Sequence, residues 1–405
     1  MRIAMISEHA SPIAAIGGVD AGGQNLHVAE LASALVRQGH EVTVYTRRDD
    51  RRAATRVRCP GGFDVVPVPA GPPTRLDKDE LAPFMPAFGR WLRRRWVSGR
   101  PPPDVVHAHF WMSGVAAHEA TAGLGIPVVL TFHALGSVKR RHQGSADTSP
   151  PQRIAVERRL AVTSDRVVAQ CDDEVRELAD LDVPASQVVV IPSGVDLDRF
   201  TPTGPRTGRR PGVGRIMSVG RLVPRKGFDD LVRALPAVGD AELLIVGGPP
   251  EGPDADPEAM RLRRLAADLG LTDRVRLLGA VDRDAMPSWY RSADVVACTP
   301  WYEPFGLTPL EAMACGRPVV AYAVGGLAES VEPGVTGVHV PPGDVDGLAT
   351  ALRDLLADPR RRERYGRAAL ARARTRYSWD TTAADLAAVY AEVAADRGRE
   401  KVAVS

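Results

Sequence analysis

The stretch WYEPFGLTPLEAMACGRPVVA, residues 301–321, decides the fold. A β-branched run at 294–298 leads into it and a second run at 319–322 closes it. Between them a Glu-Pro-Phe-Gly turn enters a segment with helical character, with Pro309 in its first turn. Strand, turn, helix, strand is the repeating unit of a parallel sheet covered by helices. Two carboxylates, Glu303 and Glu311, stand eight residues apart, one in the turn and one near the helix start. Carboxylates so placed can accept hydrogen bonds from sugar hydroxyls. The N–H groups of Phe305, Gly306 and Leu307 at the helix start suit a phosphate.

The same alternation extends outward in both directions. Runs at 215–219, 243–246 and 275–278 precede the stretch, and earlier ones lie at 2–7, 41–46, 64–69, 105–109, 128–133, 167–170 and 188–191. Helical patterns fall between several of them. In 24–37, for instance, Leu26, Ala29, Leu31, Ala34 and Leu35 make an apolar face. Residues 200–214, FTPTGPRTGRRPGVG, carry no hydrophobic period and read as a linker. The expected fold class is therefore α/β, with two Rossmann-like domains and mostly parallel sheets. The expected boundaries are 1–199 for the first domain, 200–213 for the linker and 214–380 for the second domain. A C-terminal helix and tail, 381–405, are expected to pack back on the first. Two such sheets facing across a cleft would bind ligands at their carboxyl ends.

Composition supports this and narrows the partners. With 405 residues, 44% of them hydrophobic and 25% charged, the chain can build two or three cores of roughly 150 residues each. A disordered or collagen-like chain is excluded. The 52 basic and 50 acidic residues leave a net charge of +2, so no bulk attraction to nucleic acid or an anionic membrane is expected. Of the basic residues 48 are arginine; the lysines are Lys78, Lys139, Lys226 and Lys401, and Asn25 is the one asparagine. In a sequence so depleted of Lys and Asn, the positions that keep them are worth locating. The four cysteines, Cys59, Cys171, Cys298 and Cys315, are far apart and have no zinc spacing, so a reduced cytoplasmic chain is expected. The N-terminus reads as a strand rather than a signal peptide, and no apolar run approaches the roughly 18 residues of a membrane span.

Two further motifs stand between a chemical and a bland reading. GGVDAGGQN, residues 17–25, follows the first strand and precedes a helix, where glycines either cradle a phosphate or simply turn the chain. In SVGRLVPRKGFDDLVRAL, residues 218–235, Arg221 and Lys226 converge if the turn curls back. They would then neutralise a diphosphate and stabilise its departure; otherwise they mark a solvated turn. Three Asp-x-Asp pairs (Asp196/Asp198, Asp254/Asp256 and Asp344/Asp346) read as chance loop doublets rather than metal sites. His107 and His109 alternate on a strand and are read as facing opposite sides, His109 toward the cleft and His107 into the core. On that reading they cannot share a metal. His9, after the first strand, reads either as an acceptor contact or as an ordinary loop residue.

Glu303 and Glu311, as EPFGLTPLE, resemble the signature of the family 4 glycosyltransferases, which have the GT-B fold. Arg221 and Lys226 are similar to that family's diphosphate-binding pair, Gly22 and Gly23 to its glycine loop, and VIPSGVD at 190–196 to its interdomain turn, so the resemblance covers nearly the whole chain. It implies retaining transfer of a hexosyl group, GlcNAc or glucose, from a nucleotide-sugar read as UDP-linked, with no metal and no cofactor. It implies catalytic roles for His133 (in TFHALGSVK), Arg221, Lys226 and Glu303. Donor contacts would come from Gly22, Gly23, Phe305, Gly306, Leu307 and Glu311, with Glu303 on the sugar and Glu311 on the ribose. Acceptor contacts would come from His9, Asn25, Lys78, His109, Phe110 and Arg153. Within the family, the DAGGQ and HAHFW runs resemble the sucrose-phosphate synthases. Lys78 and Arg153 resemble the acceptor-phosphate cations of the inositol-phosphate N-acetylglucosaminyltransferases of mycothiol synthesis, but Phe110 and Ala134 stand where those enzymes carry hydroxyls. The implied acceptor is a small polyol or cyclitol, phosphorylated or an aminocyclitol. The implied partners are donor and acceptor, without nucleic acid or membrane, and with a homodimer left open. Competing classes are a nucleotide-sugar 2-epimerase, a non-catalytic sugar-binding relative, and an NAD(P) oxidoreductase, which lacks its GxGxxG.

Overall fold

Alternate residues of the first strand face two different apolar clusters. Ile3 and Met5 join Val28, Leu31 and Leu35 of the Gly23–Arg37 helix. Ala4 and Ile6 join Phe88 and Leu92 of the Met85–Val97 helix. A sheet buried on both faces reads as continuous β-branched runs, as seen in this sequence. The computed structural model describes residues 1–13, 22–98, 101–249, 252–254 and 256–404, with side chains described as far as 399. Residues 17–21 of the glycine run, and the side chain of Lys401, lie outside the described residues.

The described residues divide into two compact units, 1–13, 22–192 and 379–404 in one, and 193–378 in the other. The first holds β1 (Arg2–Ile6), β2 (Glu41–Arg47), β3 (Val57–Arg58), β4 (Asp64–Val68), β5 (Val105–His109), β6 (Val128–Thr131), β7 (Arg166–Ala169) and β8 (Val188–Val190). They are ordered β3-β4-β2-β1-β5-β6-β7-β8, parallel except for β3. β1 sits in the middle, Ile3 opposite Val42 on one side and Val105 on the other. The second unit holds β9 (Gly214–Val219), β10 (Ala241–Val246), β11 (Val275–Gly279), β12 (Val295–Cys298), β13 (Val319–Tyr322) and β14 (Gly337–Val340), all parallel in the order β11-β10-β9-β12-β13-β14.

The segment expected as a linker, 200–213, lies inside the second unit. Phe200 is buried, Arg291 donates to the carbonyls of Thr201 (3.1 Å) and Pro205 (2.8 Å), and Arg215 donates to that of Gly208 (2.9 Å). Arginine side chains pin an irregular backbone there, and such a segment has no hydrophobic period to reveal that it is packed. The chain changes unit at 192/193 and again at 378/379. The helix Trp379–Val404 then packs Ala383, Leu386, Tyr390 and Val393 into the first unit's core. All four cysteines are buried, and no disulfide joins them. Among the described residues no helix is long and apolar enough to cross a membrane.

Candidate active site

In the second unit the strand order reverses at β9, whose neighbours β10 and β12 lie on opposite sides. Crossovers leaving such a point in opposite directions open a crevice at the carboxyl ends of the strands. The loops after β9 and β12 carry the sequence-predicted cations and carboxylate. The Lys226 ammonium donates to the Glu303 carboxylate, and the Arg225 guanidinium lies 4.0 Å from it while covering the Tyr302 ring at 5.2 Å. Gly227 makes this closure steric: it has φ +63°, and a Cβ there would sit 2.0 Å from the Thr299 carbonyl oxygen. Burial alone would push the Glu303 carboxyl up, but Lys226, Arg225 and Arg221 together hold it below the usual carboxylate range. Glu303 is therefore an ionised acceptor gathered under three cations, of which Arg221 is the exposed one.

Glu311 occupies a separate set of contacts. It lies in the Leu307–Ala314 helix, buried, and accepts from the Tyr290 hydroxyl at 2.8 Å and Arg283 at 3.1 Å. Burial pushes its carboxyl up against the opposing pull of Arg283 and Tyr290. Phe305 is buried, Gly306 precedes that helix at φ +87°, and Leu307 is its first residue. The turn itself is held by Gly325 and Gly326. A Cβ on Gly325 would meet the Glu303 carbonyl oxygen at 2.0 Å, and Gly326 N–H donates to the same oxygen at 3.2 Å.

In the first unit the order reverses at β1. Just past β5, the ring of one predicted acceptor residue gathers three others around it. Phe110, at φ +86°, has the Arg153 guanidinium at 5.0 Å, the Lys78 ammonium at 5.5 Å and the His9 ring edge-on at 5.0 Å. Arg153 is 1% exposed and engaged on three sides: Glu157 at 2.7 Å, Ser149 at 3.1 Å and the Ala134 carbonyl at 2.6 Å. His9 is fixed by Glu8 at 2.6 Å, and Glu8 also accepts from Ser113. Asn25 accepts from Gly22 N–H (3.1 Å) and donates to the Ser11 carbonyl (2.9 Å). Its buried amide thus ties down the start of the helix that Gly23 opens.

The histidines do not lie as the sequence reading had them. His107 and His109 are two residues apart on β5, so they share one face of the sheet, and their rings are 4.1 Å apart. Reading them onto opposite faces misapplied the period of two. His107 is a satisfied core residue, bonded to the Tyr390 hydroxyl (2.6 Å) and Thr131 (2.8 Å). His109 Nδ1 meets His133 Nε2 at 3.0 Å, and His133 has φ +61°. Burial first, then neighbouring histidines, holds His107 and His133 down at about 3 and His27 and His109 well below the ordinary value; at His133 a hydrogen bond that the ring donates to Gln170 opposes the fall. The cluster is neutral at ordinary pH.

Residues 205–372 match the model for Glycosyl transferases group 1, and residues 21–199 the model for Glycosyltransferase Family 4. The D-inositol 3-phosphate glycosyltransferase of Xylanimonas cellulosilytica is 40% identical over 410 residues, covering 96% of each chain. The chain belongs to glycosyltransferase family 4. A second D-inositol 3-phosphate glycosyltransferase, from Kribbella flavida, is 37% identical over 406 residues, covering 96% of this chain and 95% of its own. Among solved structures, the sucrose-phosphate synthase of Thermosynechococcus elongatus aligns with a TM-score of 0.88 and 30% identity, covering 98% of this chain and 99% of its own. The fold is GT-B, two α/β domains with parallel sheets.

Sequence reasoning about this glycosyltransferase missed several residues that shape its site. Arg283 and Tyr290 reach Glu311 from a loop and a short helix with no motif of their own. The Gly325–Gly326 pair was a readable signal, two adjacent glycines three residues past the end of β13. Gln24 donates to the His109 carbonyl at 3.2 Å, and His27 stands edge-on to His133 with ring centroids 4.8 Å apart. Both sit beside the glycine run, where the glycines drew the reading.

Proposed function

We propose that this glycosyltransferase moves a hexosyl group, N-acetylglucosamine or glucose, from a UDP-sugar to a small phosphorylated cyclitol, with retention of configuration and without a metal. The observation that carries the donor half is the gathering of Lys226, Arg225 and Arg221 on an ionised Glu303 at the carboxyl ends of β9 and β12. Cations set at a fixed point stabilise charge that develops there, at no cost of reorganisation during the reaction. The sugar C1–O bond to the diphosphate breaks, the leaving oxygen takes the acceptor's hydroxyl proton, and the acceptor oxygen bonds C1 on the same face. Glu303 accepts from the sugar hydroxyls, Glu311 from the ribose, and the N–H groups at Phe305, Gly306 and Leu307 face phosphate. His133, Gly22 and Gly23 keep the donor roles that the family resemblance gives them.

The acceptor half rests on the names of the relatives and on Lys78 and Arg153 flanking Phe110. His9 borders the same ring, and Asn25 and His109 complete the proposed acceptor set. An aminocyclitol is the second reading, favoured because Phe110 and Ala134 bring no hydroxyl to an acceptor phosphate. The test is UDP release from UDP-GlcNAc or UDP-glucose with inositol 3-phosphate, with an aminocyclitol, and with no acceptor. Release that depends on inositol 3-phosphate supports the first reading. Formation of a 2-epimer of the donor, or no turnover with any acceptor, contradicts both.

A further inference from the structure

Three histidines from three different elements converge in the first unit. His27 comes from the Gly23–Arg37 helix, His109 ends β5, and His133 follows β6. One ring nitrogen from each lies within 4.8 Å of the others. The ring centroids stand 5.6 Å (His27 to His109), 4.8 Å (His27 to His133) and 5.2 Å (His109 to His133) apart. These spacings match a known coordination geometry. With metal–nitrogen bonds of about 2.0–2.1 Å and a ring centroid roughly 1.1 Å behind its ligating nitrogen, three imidazoles on tetrahedral directions have centroids about 5.1–5.2 Å apart. The observed triangle averages close to that value.

We propose that His27, His109 and His133 form a binding site for a divalent transition-metal ion of the Zn²⁺ class, with the fourth coordination position open. Imidazole is a preferred ligand for such ions. The 3.0 Å contact between His109 Nδ1 and His133 Nε2 is short of the about 3.3 Å expected between two nitrogens on one tetrahedral ion, while the three nitrogens together span up to 4.8 Å, so entry requires the rings to move. His109 would bind through Nδ1; its Nε2, buried and without a hydrogen bond, points away from that ion. The other two are already oriented. His27 is wedged edge-on against Trp379 at 5.2 Å with the Gln170 amide 3.4 Å from its Nδ1, and His133 is the partly exposed member through which an ion enters. The ion has no part in the transfer reaction proposed above. It occupies His109 and His133, which that reading assigns to acceptor and donor, so bound Zn²⁺ is inhibitory. The inhibition rests on the proposed function, whereas the binding does not.

The test uses the full chain without an affinity tag, stripped of metal and titrated with Zn²⁺ alone by equilibrium dialysis and elemental analysis. One Zn²⁺ per chain is expected. His27→Phe, which keeps a ring against Trp379, should weaken binding by more than the about 10–100-fold that loss of a group supporting a ligand costs. His142→Gln, on an exposed position of the same unit, should leave binding unchanged. Absence of stoichiometric binding, or equal affinity in His27→Phe, overturns the proposal. If His27→Phe does not fold, Co²⁺ bound to the unaltered chain decides. The intense visible bands of a tetrahedral imidazole complex support the site, and the pale spectrum of a six-coordinate ion overturns it. Neither readout needs turnover, so failure of the metal site and failure of the transferase reading are separable.

Discussion

Lys226→Ala removes the cation nearest Glu303 and separates two effects that the site combines. In the structure the Lys226 and Glu303 side chains are 18% and 15% exposed, so the pair is largely desolvated and their contact is not one that water readily replaces. If Lys226 stabilises the departing diphosphate, its loss resembles removal of one preorganised donor, about 2.7–4 kcal/mol of barrier or about 10²–10³-fold in kcat. The loss should fall on kcat more than on KM for the donor, because the interaction strengthens only as the diphosphate leaves. A second consequence concerns pH. Burial pushes the Glu303 carboxyl up and Lys226 is the first of the groups opposing it, so removal of Lys226 raises the pH at which Glu303 protonates. Glu303 must be ionised to accept from the sugar hydroxyls. The acid limb of kcat should therefore move to higher pH in Lys226→Ala. Arg225, 4.0 Å away, keeps part of the field. The assay is initial-rate UDP release across a pH series at saturating acceptor. Turnover within tenfold of the unaltered enzyme, or an acid limb that stays in place, refutes the reasoning.

Three further outcomes follow from the same geometry. Gly325→Ala forces a Cβ to 2.0 Å from the Glu303 carbonyl oxygen at a residue with φ +46°, so the turn must move; a displacement of about 1 Å costs about 10²-fold in rate, and kcat should fall far more than the melting temperature. Glu174 is buried with one oxygen accepting from Gln170 N–H at 2.8 Å and the other unpartnered, and burial raises its carboxyl from 4.5 to about 7. Below about pH 4.5 the folded and unfolded forms are both protonated; as pH rises toward 7 the unfolded form ionises first, which costs the fold up to about 3 kcal/mol. Glu174→Gln should match the unaltered chain in urea unfolding near pH 4.5 and exceed it at pH 8; equal stability at pH 8 contradicts this. Glu157→Gln leaves the buried Arg153 guanidinium without its counter-charge and should lower stability by about 3–5 kcal/mol in urea unfolding, with a change in KM for the acceptor; an unchanged urea midpoint contradicts it.

The β-branched runs carried most of the architecture. Residues 105–109 and 319–322 were read to the residue, because parallel strands buried on both faces leave a continuous apolar signature. β3 and β14 were missed: one is a two-residue antiparallel edge, and the other, Gly337–Val340, is short and interrupted by His339. The unit boundary was misplaced for a different reason. Residues 200–213 look like a linker by composition, yet Phe200 and the arginines Arg215 and Arg291 bind that segment into the second unit. At the candidate site, Lys226 and Glu303 could be singled out from the sequence because each sits in a motif with Gly and Pro around it. Tyr290 and Arg283 were not, because contacts to Glu311 made across the fold leave no local spacing in the sequence. His27 was passed over because its importance lies in meeting His109 and His133, which only the parallel arrangement of β1, β5 and β6 brings about.

The most direct test of the central claim is one reaction followed by proton NMR, with UDP-GlcNAc or UDP-glucose, inositol 3-phosphate and the chelator-treated enzyme. The account predicts UDP release that requires the acceptor, and a product whose anomeric coupling matches that of the donor. UDP release at the same rate without acceptor, a product of inverted configuration, or activity that returns only on addition of a metal would contradict it.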